Sequence, residues 1–255
     1  MKWQPVAIAL ALAACMVLVG CTQKCPCEGK PGAVSGADAA RTHLDVTGGA
    51  EAWQDIDTID ARATMSIYGR GENGDMAPYV LNVRLSIRPW ANRISAEGVM
   101  GNGTWSTTVD DRGEGSFRSS GTLRDASTPG QIKTALGLLL HRVRGAGNIV
   151  YGDESATDMV DHRIDGIALD CVKVRWTPSK ARSYCFSRDT DLLRFVVAGG
   201  QEAGDDGTVT RYDDYTKQAN GMVFPMSIRV VEIGEYVLLG SEPVLETTFQ
   251  TVTMK

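Results

Sequence analysis

Two long stretches of this chain alternate between apolar and polar residues, and this alternation is the feature that most constrains the fold. The apolar positions are Ile59, Ala61, Ala63, Met65 and Ile67 in the first stretch and Tyr79, Leu81, Val83, Leu85 and Ile87 in the second. Successive side chains of a strand point to opposite faces of a sheet, so each stretch is typical of a strand with one buried face. Strands of this kind occur in antiparallel sheets, where one face stays in solvent.

Further strands are predicted along the rest of the chain, separated by turns that are rich in glycine. They lie at residues 94–99, 105–109, 116–123, 167–176, 182–187, 192–198, 209–216, 222–231, 236–239 and 244–252. The acidic stretch from Asp153 to Asp165 is interpreted as a solvated loop, with a calcium site as the alternative. Helices do not alternate with the strands, which excludes a parallel sheet. A twisted sheet of about eleven strands tends to curl, so we expect a mainly β fold in the form of an unclosed antiparallel barrel.

An N-terminal helix is predicted before the first strand. Ser35 has the character of an N-cap, with Asp38 three residues later, and the helix would end at Gly48 and Gly49. A short helical turn that contains Trp53 follows.

A second, amphipathic helix is predicted in the middle of the chain. It begins with Thr128 as the N-cap and Pro129 at the first helical position. Its apolar stripe consists of Ile132, Leu136, Leu139, Leu140 and Val143. The residues His141, Arg142 and Arg144 are interpreted as cations that complement the negative end of the helix dipole. We expect this helix to cover the concave face of the sheet.

The first twenty residues have the pattern of a signal peptide. The apolar run from Val6 to Val19 has fourteen residues, which as a helix reaches about 21 Å of a hydrocarbon core about 30 Å thick. The run ends in Leu18-Val19-Gly20-Cys21, which resembles the bacterial lipobox, whose cysteine receives diacylglycerol. We therefore predict a lipoprotein signal peptide over residues 1–20 and lipidation of Cys21. The alternative is a plain secretory peptide, with Cys21 an ordinary thiol.

Residues 21–35 are predicted to be the lipidated cysteine and a flexible tether, because they contain several glycines and prolines and no apolar periodicity. Thr22 after the lipobox cysteine implies, through the same resemblance, an outer-membrane protein that faces the periplasm. Cys25 and Cys27 are interpreted as exposed thiols that become oxidised in the periplasm. The alternatives are a strained local disulfide and a metal site, for which no histidine or further cysteine lies nearby. Residues 36–255 would then form the folded domain.

Cys171 and Cys185 are predicted to form a disulfide. A hairpin that turns at residues 177–179 and sets Trp176 opposite Lys180 also sets the two cysteines opposite each other. Opposed residues of antiparallel strands have Cα atoms about 4.5 to 5.5 Å apart, which a disulfide can span. Closing this loop stabilises the fold by about 3 kcal/mol on the chain-entropy model, and the periplasm permits it. The alternative, two free thiols, requires a slip of one residue in the register.

Three segments carry a resemblance to a known family. Gly48-Gly49-Ala50-Glu51-Ala52-Trp53 is similar to an opening motif, and Tyr212-Asp213-Asp214-Tyr215 with residues 220–225 is similar to a later strand pair. The segment from Tyr184 to Leu193 is similar to a turn motif, with its aspartate displaced to Asp189. All three segments resemble motifs of LolA-like domains, the outer-membrane lipoprotein-sorting family that includes the anchored receptor LolB. The resemblance extends over residues 36–253.

The resemblance implies an apolar barrel cavity that carries or senses the acyl chains of lipoproteins or lipids. Small and flexible side chains among the apolar residues would leave room for such chains. The predicted lining comes from three strands and the amphipathic helix and consists of Ile59, Ala61, Ala63, Met65, Ile67, Leu81, Val83, Leu85, Ile87, Leu136, Leu139, Leu140, Phe224, Met226, Ile228 and Val230.

Composition and motifs argue against several other functions. The 26 lysines and arginines are outnumbered by 31 acidic residues, and a net charge of −5 does not suit a nucleic-acid partner. The sequence lacks the motifs of serine hydrolases, zinc proteases and phosphate-binding loops, so we predict no enzyme, no cofactor and no metal site. Two functions remain. One is a membrane-anchored module that binds acyl chains for transfer or sensing, and the other is a structural lipoprotein with a filled barrel that contacts other envelope proteins.

Overall fold

Twelve strands and four helices are found in the computed structural model, which describes residues 35–70, 76–120, 128–151, 155–164, 166–177, 180–199, 207–233 and 243–255. The helices are Gly36–Val46 (α1), Ala50–Gln54 (α2), Thr128–Arg144 (α3) and Gly147–Tyr151 (α4). The strands, numbered β1 to β12 in chain order, are Ile59–Arg70, Met76–Arg88, Arg93–Met100, Gly103–Val109, Gly115–Ser120, Ser155–Ile164, Ile167–Thr177, Lys180–Ser187, Leu193–Gly199, Gly207–Lys217, Val223–Ile233 and Pro243–Met254.

All twelve strands form one sheet in which every neighbouring pair is antiparallel. Their order is β5-β4-β3-β2-β1-β12-β11-β10-β9-β8-β7-β6. The first and last strands therefore lie side by side in the middle of the sheet, and β5 and β6 are its two edges. The sheet is not closed, which confirms the prediction of an unclosed antiparallel barrel.

Helix α3 packs on the apolar face of the sheet. The positions of the strands that it contacts show that the sheet is curved. The helix contacts β1, β3, β4 and β5, while at its C-terminal end Tyr212 of β10 donates to the carbonyl of Arg142 and Arg182 of β8 contacts His141. The strands from β5 to β8 would extend about 43 Å in a flat sheet, whereas a helix of 17 residues is about 25 Å long. The sheet therefore wraps around α3, and the helix covers its concave face as predicted.

The acidic stretch is a strand over most of its length, so its interpretation as a loop is wrong. Residues 155–164 form β6, which pairs with β7 from Ser155↔Arg175 to Ile164↔Ile167. Its sequence lacks the apolar alternation that identified the other strands, but an edge strand needs a backbone partner on one side only and tolerates charged residues. The sheet thus has twelve strands instead of about eleven. The strand predicted at 236–239 lies outside the described residues.

The predicted disulfide between Cys171 and Cys185 is confirmed. The two cysteines are opposed in the β7–β8 hairpin, with their Cα atoms 3.9 Å apart. The predicted pairing of Trp176 with Lys180 is wrong, because a bulge near the turn makes Thr177 the partner of Lys180. The bulge is confined to the end of the hairpin. From Arg175↔Ala181 to Cys171↔Cys185, the register is the predicted one.

The C-terminal turn of α3 differs from the prediction in one residue. His141 was expected to be a cation at the negative end of the helix, but burial, together with the neighbouring Arg182 and Arg142, lowers its pKa to about 2. His141 is therefore neutral at pH 7, and the prediction is wrong. The predicted N-cap of α1 is confirmed, since Ser35 Oγ accepts from the Asp38 backbone at 3.2 Å and Asp38 accepts from Ser35 in return.

The signal peptide, Cys21, Cys25, Cys27 and the tether up to residue 34 lie outside the described residues. In the part of the chain that the structure describes, no helix is long and apolar enough to cross a membrane. Within the same ranges, histidine, cysteine, aspartate and glutamate form no group of three or more that could hold a metal ion.

Candidate functional site

The residues predicted to line a cavity come together in one apolar layer between the sheet and α3. Fifteen of the sixteen are buried members of a single hydrophobic cluster, and Met226 packs against that cluster while partly exposed. The register of the β1–β2 hairpin explains the grouping on the sheet side, because it sets Ala61, Ala63 and Met65 opposite Leu85, Val83 and Leu81. The alternation of each strand then turns all of these side chains to the same face.

Polar contacts of Arg144 hold the C-terminal end of α3 to two turns of the sheet. The Arg144 Nε donates to the carbonyl of Pro89 at 2.6 Å, and a terminal nitrogen donates to Asn92 Oδ1 at 2.6 Å. Its other terminal nitrogen lies 3.5 Å from Oδ2 of Asp111. The second oxygen of the same carboxylate, Oδ1, accepts from Asn92. Arg144 thus joins the end of α3 to the β2–β3 and β4–β5 turns.

The middle of α3 touches the β4–β5 turn through two glycines. A Cβ atom added at Gly137 would lie 2.5 Å from the backbone nitrogen of Gly113, so a larger residue at this position would push the helix away from the turn. Gly113 has a φ of 76°, a conformation that favours glycine. The helix is therefore in direct backbone contact with the sheet at this point.

A small void lies beside the C-terminal turn of α3. It measures about 20 Å³ and is bordered by His43, Trp53, Tyr212 and Tyr215, together with residues 142–146. This volume suits one water molecule and is far smaller than an acyl chain. Such a chain therefore does not fit into this void as it stands.

Two of the three motifs that carry the family resemblance meet around His43 of α1. The backbone N–H of Leu193 donates to His43 Nδ1 at 3.1 Å, and the imidazole ring lies 5.6 Å from the ring of Phe186 and 6.4 Å from that of Tyr215. Tyr215 in turn donates to the carbonyl of Leu193 at 2.6 Å. Burial lowers the pKa of His43 to about 4, partly offset by the nearby carbonyl of Asp191. His43 is thus neutral and structural at pH 7.

The first motif is joined to the later strand pair in the same region. The N–H of Val223 donates to the carbonyl of Thr47 at 2.9 Å, and Trp53 Nε1 donates to Thr47 Oγ1 at 2.9 Å. Gly48 has a φ of 129°, and a Cβ atom there would come within 3.0 Å of Met222. These motifs hold the helices to strands β8 to β11 and so contribute to specifying the fold.

The opposite face of the sheet carries a polar depression that the sequence analysis did not identify. Two adjoining hollows of about 800 and 930 Å³ lie on the outer side of β12 and β1 to β5, and we call them together the polar trough. The residues common to both hollows are Arg62, Arg84, Glu97, Ser106 and Arg118. In the sequence, Arg62 and Arg84 are only polar members of two alternating stretches. The signal that could have revealed the trough is the hairpin register, which sets these two arginines opposite each other.

Comparison with known proteins rests on structure alone. No protein-family model matches the sequence, and no curated protein is detectably similar to it. The LolA superfamily protein NE2245 from Nitrosomonas europaea is similar in structure, with a TM-score of 0.51 and 9% identity over 88% of this chain and 94% of that one. A putative outer membrane lipoprotein-sorting protein domain from Vibrio parahaemolyticus has a TM-score of 0.48 and 8% identity over 86% and 92% of the two chains. The protein is thus a LolA-like domain in its fold.

Proposed function

We propose that this protein is an envelope lipoprotein, anchored by lipid at Cys21, that takes up acyl chains of lipoproteins or lipids between its sheet and α3 for transfer or sensing. The observation that carries the proposal is the continuous apolar layer between one helix and a curved sheet of LolA-like fold. If an acyl chain replaced the side chains of α3 against the sheet, about the same apolar area would stay buried from water. On this proposal the protein is a binding protein and not an enzyme.

Movement of α3 is the step that the proposal requires. Polar contacts hold the C-terminal end of the helix: those of Arg144, the Arg142 guanidinium that donates to Thr208 Oγ1 at 3.1 Å, and the contacts of Tyr212 and Arg182. The Gly137–Gly113 approach holds its middle. Its other buried side chains are aliphatic, apart from Thr128 near its start. Aliphatic contacts have no directional bonds, so an acyl chain can replace them as the helix lifts. The small side chains of Ala61 and Ala63 on β1 and of Ala135 on α3 fill little of the space between the sheet and the helix.

The envelope location is supported by two features that are independent of the fold. The apolar run and lipobox at the N-terminus suit export and lipidation. The Cys171–Cys185 disulfide suits an oxidising compartment outside the cytosol. Attachment to the outer membrane follows from Thr22 and belongs to the same proposal.

A second function is favoured by the small size of the void beside α3. With about 20 Å³ of space there, the domain also suits a structural lipoprotein with a packed interior that contacts other envelope proteins. The two functions differ in whether the apolar layer ever opens to a lipid.

Substitution of Ala63 by phenylalanine is expected to abolish binding of a fluorescent fatty acid that the native protein binds. Ala63 is 1% exposed and faces the layer, so the ring would occupy the space of an acyl chain and lower the stability by about 1 to 3 kcal/mol through overpacking. The measurement is a fluorescence titration, with circular dichroism to establish that the variant is folded. Thr64→Phe, one residue away on the polar face, serves as the control and should bind normally. If the native protein binds no fatty acid, the packed structural function is correct.

Arg144→Gln is expected to strengthen fatty-acid binding severalfold. The substitution removes the contact with Asp111 and part of the hydrogen bonding to Pro89 and Asn92, so less free energy opposes the movement of α3. The same fluorescence titration measures the change, and Arg41→Gln on the exposed side of α1 is the matched control. Unchanged or weaker binding by folded Arg144→Gln would mean that α3 does not gate the layer.

A further inference from the structure

One row of side chains crosses the polar trough from strand to strand. The register places its members in the order Thr251, Arg62, Arg84, Glu97, Ser106 and Arg118, on β12, β1, β2, β3, β4 and β5. Parallel rows of hydroxyl and amide side chains flank it, including Ser86 and Ser95 on one side and Thr64 and Asn82 on the other. The trough therefore combines charge in its centre with hydrogen-bonding groups on both sides.

The positive charge of this row is only partly neutralised. Arg62 and Arg84 are directly opposed on neighbouring strands, an arrangement of like charges that destabilises a sheet. Arg84 has a single exposed ion pair, 3.4 Å from Glu97. Within the described ranges, neither Arg62 nor Arg118 pairs with an acid, and the nearby Asp60 is engaged at 2.8 Å by Lys255. A chain of net charge −5 thus keeps two opposed arginines in an open hollow.

We propose that the polar trough binds a phosphate monoester dianion, with Arg62 and Arg84 as the residues that hold it. Their Cβ atoms are about 5 Å apart, so two guanidinium groups can converge on one tetrahedral anion. The planar fork of arginine matches the oxygens of phosphate, and serine and threonine hydroxyls provide further donors. A dianion matches the charge of two guanidinium groups, whereas a phosphodiester or a carboxylate carries only one negative charge. The site is independent of the apolar layer on the other face.

Glu97 and Arg118 modulate the site. The Arg84–Glu97 pair is more than half exposed on both sides and is therefore weak, so phosphate can displace the carboxylate. Removal of the Glu97 charge should then favour the anion. Arg118 lies three strands away from Arg84, about 14 Å in a flat sheet, so it attracts the anion without belonging to the central pair.

The test is a titration of the purified protein with glycerol 3-phosphate at pH 8, followed by NMR of the backbone amides. We expect saturable shifts at β1 and β2 around residues 62 and 84, and at least tenfold weaker binding of dimethyl phosphate, a diester. Arg62→Gln and Arg84→Gln should each weaken binding by about tenfold, while Glu97→Gln should strengthen it. Arg41→Gln, on α1, is the control and should bind like the native protein.

A second measurement keeps the proposal testable in the absence of ligand. Because Arg62 and Arg84 repel each other, Arg62→Thr should raise the melting temperature of the free protein and remove the stabilisation that glycerol 3-phosphate provides. The proposal is overturned if glycerol 3-phosphate causes no shifts at these strands, if dimethyl phosphate binds equally well, or if the two arginine variants bind like the native protein.

The source of the phosphate is distinguished by a vesicle experiment. Phosphatidylcholine vesicles with and without phosphatidic acid, a lipid phosphomonoester, are sedimented with the native protein and with Arg62→Gln. Retention that requires both phosphatidic acid and Arg62 identifies a lipid headgroup as the ligand. Binding of glycerol 3-phosphate without such retention identifies a soluble monoester.

Discussion

Replacement of Cys21 by serine is expected to abolish acylation and to leave an unprocessed or soluble precursor. Serine cannot form the thioether that the lipobox cysteine receives, so the variant would carry no acyl chains. Each buried methylene contributes about 0.8 kcal/mol, and two or more chains are needed for stable anchorage. Loss of all the chains therefore changes a permanently attached protein into a soluble or unprocessed one. Membrane fractionation and intact-mass measurement of the purified protein are the appropriate assays.

The sequence offers matched controls for this experiment at two neighbouring cysteines. Cys25 and Cys27 lie outside the lipobox, so Cys25→Ser and Cys27→Ser should leave the protein in the membrane fraction with its acyl mass intact. A native protein without any added acyl mass would contradict the proposed anchor. Release of the Cys25 or Cys27 variant would place the attachment at a different residue.

Acidification from pH 6.5 to pH 4 is expected to destabilise the domain by about 3 kcal/mol through His43 alone. Burial lowers the pKa of this imidazole to about 4 in the folded protein, whereas an unfolded histidine has a pKa near 6.5. Between these values the unfolded chain binds a proton that the folded chain does not. The stabilisation is therefore fully present above pH 6.5 and is lost as the pH falls. His141, with a pKa lowered to about 2, acts in the same direction.

Urea unfolding at several pH values measures this dependence. His43→Gln, which can still accept from the Leu193 N–H but does not titrate, should be less stable at pH 7.5 and should have a shallower pH dependence between 6.5 and 4. His141→Gln is the companion variant that separates the contribution of the second histidine. The same slope in the native protein and in His43→Gln would mean that His43 is already protonated in the folded state.

The fold could be predicted because the sequence patterns that specify it lie within short segments of the chain. The alternation at 59–67 and 79–87 identifies strands and their buried faces. The hairpin pairing that opposes Cys171 and Cys185 was also predictable, although Thr177 pairs with Lys180 and a bulge restores the predicted register from Arg175 onward. Strand β6 was missed because an edge strand can be recognised by its partner, β7, but not by an apolar pattern of its own. The neutral state of His141 was missed for a similar reason, since it results from burial in the fold and from the approach of Arg182 on a distant strand.

The candidate sites were less predictable because they depend on curvature and on distances across the sheet. A pattern tells that Ala63 and Leu139 face the core, but the width of the space between them depends on how the sheet wraps around α3. The polar trough depends on the meeting of Arg62 and Arg84, which are 22 positions apart in the sequence. Each arginine alone has the pattern of a solvent-facing strand residue.

The central position of β1 beside β12 has a consequence for how the chain folds. Every other pair of neighbours in the sheet is consecutive in the chain, so strands 1 to 5 and strands 6 to 12 can each form as a meander from short-range contacts. The pairing that unites them joins Ile59 with Met254, and such distant contacts form slowly because a long loop must first close. Until β12 has been synthesised and has paired with it, β1 has a bare edge that can pair with another chain. The twelve residues of β12 thus decide whether the newly made protein assembles or aggregates.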